Sequence, residues 1–389
     1  MDIAAGKFEG TDLRSAIAVI ISITIIATGI GLSMPLISLL MEEEGLSSTL
    51  IGANTLMIGL SSIVAVPYIT SFAQRFGVVR LMIANAVFAA SMMLAHYWTP
   101  ILPGWFIWRF LFSVNMTFLF VLGEFWINHS AGETRRGLLL GLYGTISSMG
   151  FAAGPAIITI VGINGIRPFA IGAGLFLLAI IPILFVRKNQ PVIDKTEQRR
   201  SILPYVFMVP LATFAALVFG ASETTEFSLL PVYATRAGYE EASAATILTI
   251  MVLGNVIFQI PLGILSDRVS DRRFILMICV VGGLVGALML PFLITNWLAV
   301  CILVFLWGGM TGGLYTVGLA HLGSRLTGAD LAQANAAFVL CYAIGAMMGP
   351  QLVGIAMDLD NNSGFGFGLG LAFFFVIYLI FYAFRIRAR

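Results

Sequence analysis

The segment Gly150-Phe-Ala-Ala-Gly154-Pro155 lies inside a long apolar run, and it recurs 195 residues later as Gly345-Ala-Met-Met-Gly349-Pro350 inside another. Two further pairs repeat at nearly the same distance, Arg75 with Arg268 at 193 residues and Pro35 with Pro231 at 196. Near-equal offsets along a chain indicate internal duplication. The sequence therefore predicts two related halves.

Apolar runs surround these repeats along the whole 389-residue chain. With 59% hydrophobic and 10% charged residues, the chain cannot have the surface of a water-soluble protein. About 20 residues at about 1.5 Å each cross a lipid core, whereas transmembrane barrels need alternating segments of roughly 10 residues. We predict an all-α polytopic membrane protein with twelve spans, at 13–41, 48–72, 79–97, 103–127, 137–162, 166–186, 203–234, 242–265, 274–294, 297–322, 331–357 and 365–384.

The basic residues give the orientation, because cytoplasmic loops collect Lys and Arg. With the N-terminus inside, eighteen basic residues fall in inner segments and two, Arg167 and Arg236, in outer loops. The longest inner connection is polar and separates six spans from six. We predict an N-terminal six-helix bundle (1–186), a cytoplasmic linker (187–201) and a C-terminal six-helix bundle (202–389), with both termini cytoplasmic.

Several classes of protein are not indicated by the sequence. The first apolar run is too long for a cleavable signal peptide and is interpreted as the first span. No nucleotide loop, metal-ligand cluster or nucleophile motif is present, so we expect no enzyme activity, cofactor or metal. We expect small-molecule and proton partners within a lipid bilayer, with no nucleic acid and no obligatory protein partner.

The loop between predicted spans eight and nine reads Gly263-Ile-Leu-Ser-Asp267-Arg268-Val-Ser-Asp-Arg272-Arg273. Glycine, then Asp-Arg, then a basic pair resembles the loop motif of the major facilitator superfamily. The N-terminal copy is degenerate, with Thr70 and Gln74 at the glycine and aspartate positions, and with Arg75, Gly77 and Arg80 matching. Together with Glu124-Phe-Trp-Ile-Asn128 and Leu229-Leu-Pro231-Val-Tyr233, the chain is similar to bacterial YcaD-type members.

This resemblance implies two pseudo-symmetric six-helix bundles in the bacterial cytoplasmic (inner) membrane. In such transporters the halves rock around a central site by alternating access, and spans one, four, seven and ten line the cavity. It also implies conformational gating residues in the loop motifs and in the Gly-Pro helices. These are Arg75, Gly77, Gly150, Gly154, Pro155, Gly263, Asp267, Arg268, Arg272, Gly345, Gly349 and Pro350.

Four ionisable side chains lie deep in the predicted spans, Arg109 and Glu124 on span four and Glu223 and Glu226 on span seven. Each such group costs roughly 2.5 to 3.5 kcal/mol to insert, so it needs a partner or a water-filled cavity. Glu223 and Glu226 are three residues apart and share one helical face. We predict Glu223 as the main proton-coupling acid, Arg109 as its electrostatic partner and Glu226 as an assisting acid or a solvated residue at the cavity mouth.

Polar and aromatic residues extend this candidate site. Arg109, Ser113 and Thr117 share a face with Glu124, which predicts substrate contact, whereas a structural charge that satisfies helix carbonyls is the alternative. Trp307, Thr311 and Tyr315 recur every four residues on span ten and suit an amphipathic ligand, although helix packing would explain the glycines beside them equally well.

Glu124, Asn128, His129 and Arg135 cluster at the cytoplasmic end of span four and the following loop. A histidine titrates near neutral pH, so this cluster could form an inner proton relay. A structural network that ties span four to span five is the alternative, and we favour the network.

Two hypotheses on transport follow. The first is proton-coupled export, or antiport, of a small amphipathic compound, and the Gly-x-x-x-Gly-Pro element resembles an antiporter signature of the superfamily. That element also works as a packing device, since small residues let helices approach closely. The second is proton-coupled symport of a small anionic metabolite bound by Arg109. A non-transporting membrane sensor with the same fold is a third possibility.

Overall fold

The computed structural model describes residues 12–130, 132–191, 203–269, 271–326, 328–360 and 364–387. Within these residues the chain is helical and contains no strand. The helices are α1 (Leu13–Glu43), α2 (Ser48–Phe76), α3 (Val78–Trp98), α4 (Leu102–Ser130), α5 (Gly132–Val161), α6 (Arg167–Leu178), α7 (Ile180–Phe185), α8 (Leu203–Val206), α9 (Pro210–Arg236), α10 (Glu241–Arg268), α11 (Arg272–Leu293), α12 (Trp297–Gly323), α13 (Gly328–Leu359) and α14 (Gly366–Arg387).

Eleven segments of the described chain are long and apolar enough to cross a membrane, with α6 and α7 together forming one of them. Helix α9 has 27 residues but is not among the eleven. Its polar run Ser222–Glu226 lowers its mean hydropathy, since two of the five residues are acidic. The prediction of an all-α polytopic membrane protein is confirmed, and the twelfth span at α9 stays a prediction.

Two predicted spans are interrupted. Helix is interrupted within the span predicted at 203–234, because α8 ends at Val206 and α9 begins at Pro210, which occupies the first turn of α9. A proline lacks the N–H that would continue a helix from the preceding turn, but it fits a first turn. The sixth span is divided at Ala179, whose carbonyl accepts a hydrogen bond from the Ser22 hydroxyl on α1 at 2.7 Å.

Short polar residues and glycine set several helix ends. The Asp12 side chain accepts the N–H of Ser15 at the start of α1, and the Asn296 side chain accepts the N–H of Ala299 at the start of α12. These bonds satisfy amide groups that have no partner inside the helix. Helix α2 ends at Gly77, whose φ of 83° is readily adopted only by glycine.

The repeated Gly-x-x-x-Gly-Pro segment makes the same kind of contact in both halves. On α5, Gly150 and Gly154 face the backbone of α1 at Thr24 and Gly31. On α13, Gly345 faces the backbone of α9 at Leu217, and Gly349 faces it at Ala221. A side chain at any of these positions would collide with main-chain atoms, so the repeat packs span five on span one and span eleven on span seven.

Buried apolar side chains form two large clusters. One draws almost all its members from residues 16–186, with Ala245 added, and the other mainly from residues 211–378, with a few members from α1, α2, α4 and α5. The predicted division into bundles 1–186 and 202–389 agrees with this distribution. It stays a proposal, and most of the linker predicted at 187–201 lies outside the described residues.

We expect Gly154→Val and Gly349→Val each to lower the thermal unfolding midpoint of the purified protein. The added side chain meets backbone that cannot rotate away, so the helices must separate, at a cost of about 1 to 3 kcal/mol. Gly174→Val is the matched control, because Gly174 on α6 is exposed with no heavy atom near its missing Cβ. Equal midpoints for all three variants would contradict the packing assignment.

Candidate functional site

The polar run of α9 brings Glu223 against α13. The Tyr342 hydroxyl donates a hydrogen bond to Glu223 Oε2 at 2.6 Å. Helices α9 and α13 can approach this closely because Gly220 faces the carbonyl of Tyr342 and Gly345 faces that of Leu217. The carboxylate of Glu223 is therefore partnered by a neutral donor on a neighbouring helix.

Glu226 lies one turn further along α9 and is 6% exposed. Its Oε1 atom is buried and finds no hydrogen-bond partner in the described part of the chain. Both acids line a small, partly open cavity with room for about one water molecule. The remaining lining residues are Phe227, Leu248, Met251, Val252, Asn255 and Gly308.

The cavity lies among α9, α10 and α12. Phe227 packs edge-on against Phe151 of α5, with 6.1 Å between the ring centroids, so the cavity adjoins the boundary between the predicted halves. Asn255 comes from predicted span eight, which the resemblance did not place at the cavity. Its side-chain oxygen accepts a hydrogen bond from Gln259 at 3.2 Å.

Arg109 occupies a different environment from the two acids. It is 1% exposed, and NH1 donates to the Ser33 carbonyl of α1 at 3.4 Å, while Nε and NH2 find no partner among the described residues. The structure forms no ion pair within 4.0 Å between Arg109 and Glu223 or Glu226. The predicted pairing is thus not formed in this conformation, and the bond to Ser33 matches the alternative in which Arg109 satisfies a helix carbonyl.

The other predicted ligand contacts are divided between the halves. Ser113 is buried beside Arg109 on α4, and the Thr117 hydroxyl lies 2.9 Å from that of Ser62 on α2. On α12, the Thr311 hydroxyl donates to the Gly308 carbonyl at 3.1 Å. The Thr117 hydroxyl also donates to the Ser113 carbonyl at 2.9 Å, so both threonine hydroxyls donate to carbonyls of their own helices.

Trp307 and Tyr315 on α12 point in different directions. Trp307 is 1% exposed and packs against Gly286 of α11 and Phe367 of α14, which favours the packing interpretation. Tyr315 packs against Phe219 on α9 and lies 6.2 Å from Tyr342 between ring centroids. Tyr315 therefore adjoins the Glu223 site, whereas Trp307 does not.

The cluster around Glu124 connects α4 with α5, as the network interpretation requires. The Tyr143 hydroxyl donates to Glu124 Oε1 at 3.1 Å, and the Asn128 side chain donates to the Glu124 carbonyl at 2.9 Å. His129 is exposed and stacks on Phe125. The side chain of Arg135 lies outside the described residues.

The loop motif forms a compact set of ion pairs. Arg272 bonds Asp267 at 2.7 Å and the Ala320 carbonyl of α12 at 2.7 Å, so it ties the loop to a third helix. Arg273 donates hydrogen bonds to Asp271, which lower the pKa of that carboxyl from 3.8 to about 2. Because the folded pKa is depressed, stability from this pair is present above pH 3.8 and is lost as the pH falls towards 2.

The remaining predicted gating residues of the two loop motifs have few close contacts. Gly263 has only one heavy atom, a methyl carbon of Thr316, near its missing Cβ, and Arg268 is exposed at the end of α10. In the degenerate copy, Arg75 lies 5.3 Å above the ring of Phe76 and Gly77 contacts Gln190.

The two prolines predicted to take part in gating belong to the Gly-Pro helices. Pro155 lies within α5 and Pro350 within α13.

An ionic cluster joins the two predicted halves at the opposite end, which the charge distribution predicts to be extracytoplasmic. Arg236 on α9 makes two 2.7 Å bonds to Glu42 on α1 and lies 4.0 Å from Asp358 on α13. Asp358 accepts the backbone N–H groups of Ser48 and Thr49 at 2.9 and 2.8 Å. We call these five residues the outer clamp; in it, an acid of one half caps a helix of the other.

Helix packing reinforces the outer clamp. Gly52 on α2 faces the carbonyl of Pro350, and Gly354 on α13 faces that of Ser48, so α2 and α13 touch through their backbones. Beside them, the Thr159 and Thr246 hydroxyls lie 3.1 Å apart between α5 and α10. The two predicted halves are therefore held together at this end.

The sequence pattern described as "Major Facilitator Superfamily" matches residues 19–248 and 213–389. The chain belongs to the major facilitator superfamily. It is thus a transporter rather than an enzyme, and it acts on small molecules as an integral multi-pass membrane protein. The bacterial relatives below support the predicted cytoplasmic membrane location, and the resemblance to YcaD-type members is confirmed.

Two curated relatives of this superfamily cover most of the chain. It is 25% identical over 329 residues to the MFS-type transporter YfkF of Bacillus subtilis, covering 82% of this chain and 83% of YfkF. Identity to the MFS-type transporter YcaD of Escherichia coli O139:H28 is 22% over 353 residues, covering 89% of this chain and 90% of YcaD.

Solved superfamily structures share the fold. The nucleoside transporter NupG matches with a TM-score of 0.74 at 13% identity, over 97% of this chain and 99% of NupG. A bacterial homolog of the human lysosomal transporter Spinster, in an inward-facing and unoccupied conformation, matches with a TM-score of 0.73 at 12% identity, over 95% and 96%. At these identities the likeness shows the fold alone.

The superfamily pattern did not predict several residues of the site. Tyr342 and Asn255 are single polar residues in otherwise apolar runs, and such residues in a span are a usable signal. The outer clamp joins residues that are as far apart in the sequence as Ser48 and Asp358, so only the packing of α2 on α13 brings them together.

We expect Asp358→Asn to loosen the outer clamp of this transporter by about 1 kcal/mol, because the helix N-terminus and Arg236 lose a negative partner. The readout is labelling of Ile51→Cys, a fully buried position on α2, by a membrane-impermeant maleimide. Labelling should become about fivefold faster. Glu43→Gln, at an exposed neighbouring acid, should leave the rate unchanged; an equal increase there would contradict the clamp.

Proposed function

We propose that this superfamily member is a proton-driven antiporter that exports a small amphipathic compound, with Glu223 as the main protonation site. The observation that carries the proposal is a pair of acids inside the protein that have no basic partner among the described residues. Glu223 is held by Tyr342, and Glu226, in the same cavity, has an oxygen for which the described part of the chain offers no hydrogen-bond donor. An acid in such surroundings can bind and release a proton as the cavity changes its exposure.

The outer clamp supports a transport cycle in which the protonation state is linked to conformation. In the present structure the halves are joined where Glu42, Arg236 and Asp358 meet. We propose that bundles 1–186 and 202–389 rock about this closed end, so that the cavity faces the opposite side until the clamp breaks.

A proton route on the cytoplasmic side is part of this proposal. Tyr143 binds Glu124 on the N-terminal half, and Tyr315 lies within electrostatic reach of both Glu124 and Glu223. Glu124 lies near the predicted cytoplasmic end of α4, and in this proposal water bridges the gaps between these hydroxyls. Protons released at Glu223 would leave through this line of polar groups.

A second candidate function is proton-coupled uptake of a small anion. The observation that favours it is Arg109, whose Nε and NH2 are buried without a partner among the described residues. A buried guanidinium is stabilised by an anion, and a substrate carboxylate could supply one. An imposed pH gradient in proteoliposomes separates the two functions, because substrate moves against the proton flow in antiport and with it in symport.

We expect Glu223→Gln to abolish transport driven by a pH gradient, because the amide cannot exchange a proton. The measurement is substrate-dependent proton flux in proteoliposomes, with a thermal midpoint within a few degrees of the wild type as the sign of a folded protein. Glu240→Gln, at an exposed acid before α10, serves as the control and should retain flux. Retained coupling in Glu223→Gln would refute the proposed role.

Tyr342→Phe tests the hydrogen bond separately from the acid. The phenyl ring keeps the contact with Phe219, which lies 5.9 Å away between ring centroids, but it cannot donate to Glu223. We expect transport to persist with its pH profile moved by at least about half a unit, since a hydrogen bond to one protonation state changes the proton affinity. The exposed Tyr68→Phe provides the control, and identical profiles for both variants would exclude a role for Tyr342.

A further inference from the structure

We propose that one water molecule bridges Glu223, Glu226 and Asn255, so that the two acids share a proton and Asn255 positions the water between them. The inference rests on the proposed function, because it adds a bound water and a positioning residue to the same proton site. The site is the small, partly open cavity among α9, α10 and α12, which has room for about one water molecule.

The first argument concerns the oxygens of the two acids. Glu226 is 6% exposed, and its Oε1 atom is buried without a hydrogen-bond donor in the described part of the chain. Buried acceptors are costly to leave unpaired, so most of them bind a protein donor or an ordered water. On Glu223, the Tyr342 hydroxyl donates to Oε2, which leaves Oε1 for a second donor. Each acid therefore offers one oxygen to a water in the cavity.

The second argument concerns the orientation of Asn255 on α10. Its side-chain Oδ1 accepts a hydrogen bond from the Gln259 amide at 3.2 Å. The same oxygen lies against Gly312 of α12, where an added Cβ would collide with it. An asparagine side chain carries one acceptor oxygen and one NH₂ donor group, so Nδ2 is the donor available to the cavity. A water that accepts this bond keeps both of its hydrogens for the two acids.

The third argument is the number of hydrogen-bond partners. A buried water usually makes about three hydrogen bonds. The cavity offers three polar side chains, those of the two acids and Asn255. Its other described lining residues are apolar or glycine, namely Phe227, Leu248, Met251, Val252 and Gly308. One water therefore has a partner in each polar group of the described lining.

The bridge lets the two acids exchange a proton without a large movement of either side chain. The O–H bond of a protonated Glu226 breaks as its proton passes to the water, and the water passes one of its own protons to Glu223, where a new O–H bond forms. The water is regenerated and the net charge of the pair is unchanged. Two carboxyl groups that share a proton titrate as a pair. Glu226 is thus a proton-sharing partner of Glu223 rather than a solvated residue at the cavity mouth.

Few titratable groups face the two acids in the described chain. Tyr342 on α13 donates to Glu223, Tyr315 on α12 lies within electrostatic reach of it, and α10 contributes the non-titrating Asn255. Two other helices packed on α9 place titratable groups nearer its ends, with Glu42 of α1 at Arg236 and Tyr378 of α14 at Leu211. The titration of each acid should therefore depend mainly on the other acid, on Tyr342 and on the bridging water.

The test is infrared difference spectroscopy of the purified full-length protein during a pH titration. Glu223→Gln and Glu226→Gln assign the carboxyl bands, because each variant lacks the band of the acid that it replaces. We expect removal of either acid to move the titration midpoint of the other by at least about half a unit of pH, since the two are coupled. A water O–H band should change together with the carboxyl bands, should shift in water that carries a heavy oxygen isotope, and should be absent in Glu226→Gln.

Asn255→Leu tests the positioning residue, because leucine has a similar size but cannot donate to the water. We expect the water band to be lost and the Glu226 carboxyl band to move to higher wavenumber, since weaker hydrogen bonds stiffen the C=O bond. The titration midpoint should move by at least about half a unit towards higher pH, because the carboxylate loses a donor. Asn115→Leu is the matched control and should keep the wild-type bands, because Asn115 on α4 donates to the Leu111 carbonyl of its own helix at 2.7 Å.

Any of three results would overturn the inference: no isotope-sensitive water band in the wild type, independent titration of the two acids, or identical spectra for Asn255→Leu and Asn115→Leu. The isotope measurement needs only the wild-type protein, so a variant that fails to fold cannot obscure it. All three results leave the proposed function intact, because that function fails only if Glu223→Gln keeps its proton coupling in proteoliposomes.

Discussion

The close approach of helix backbones at glycine underlies both the fold and the chemistry of this transporter. In a bilayer the hydrophobic effect does not drive helices together, so association depends on packing and on polar contacts between helices. Gly345 and Gly349 allow α13 to lie against the backbone of α9, and the equivalent pair on α5 lies against α1. The same approach brings the Tyr342 hydroxyl within 2.6 Å of Glu223. The packing device therefore also positions the proposed protonation site.

Buried charged residues are distributed unevenly between the two predicted halves, and the proposed function depends on this distribution. Arg109 is buried in the N-terminal half beside Ser33, while the two glutamates face a cavity built from helices of the C-terminal half. At the outer clamp, by contrast, each acid has a partner at or within 4.0 Å. Paired charges at one end fasten the predicted halves together. The two acids in the middle of α9 have no basic partner among the described residues and are available to bind a proton. The acids that fasten the predicted halves are thus different from the acids proposed to bind the proton. This suits a protein that must open and close in each transport cycle.

Much of the fold could be predicted because its causes are local in sequence. Apolar length fixed the spans to within a few residues, as for α12, predicted at 297–322 and found at Trp297–Gly323. The break at 207–209 escaped prediction, since Pro210 is compatible both with a continuous apolar run and with a new first turn. Within the candidate site, Glu223 and Glu226 were identifiable because an ionisable group in a span is rare. Their neighbours were not, because Tyr342 and Asn255 become neighbours only when α10 and α13 pack against α9.

The sequence by itself determined that this protein crosses a membrane as helices and that acids lie within the seventh predicted span, and it predicted two related halves. Those conclusions follow from composition, spacing and the cost of burying charge, which are properties of single segments. Only the tertiary structure decided that Arg109 stands apart from the acids, that Trp307 packs between helices, and that Asp358 caps a helix of the other half. Such facts depend on which faces of distant helices meet, and periodicity along one helix does not specify that.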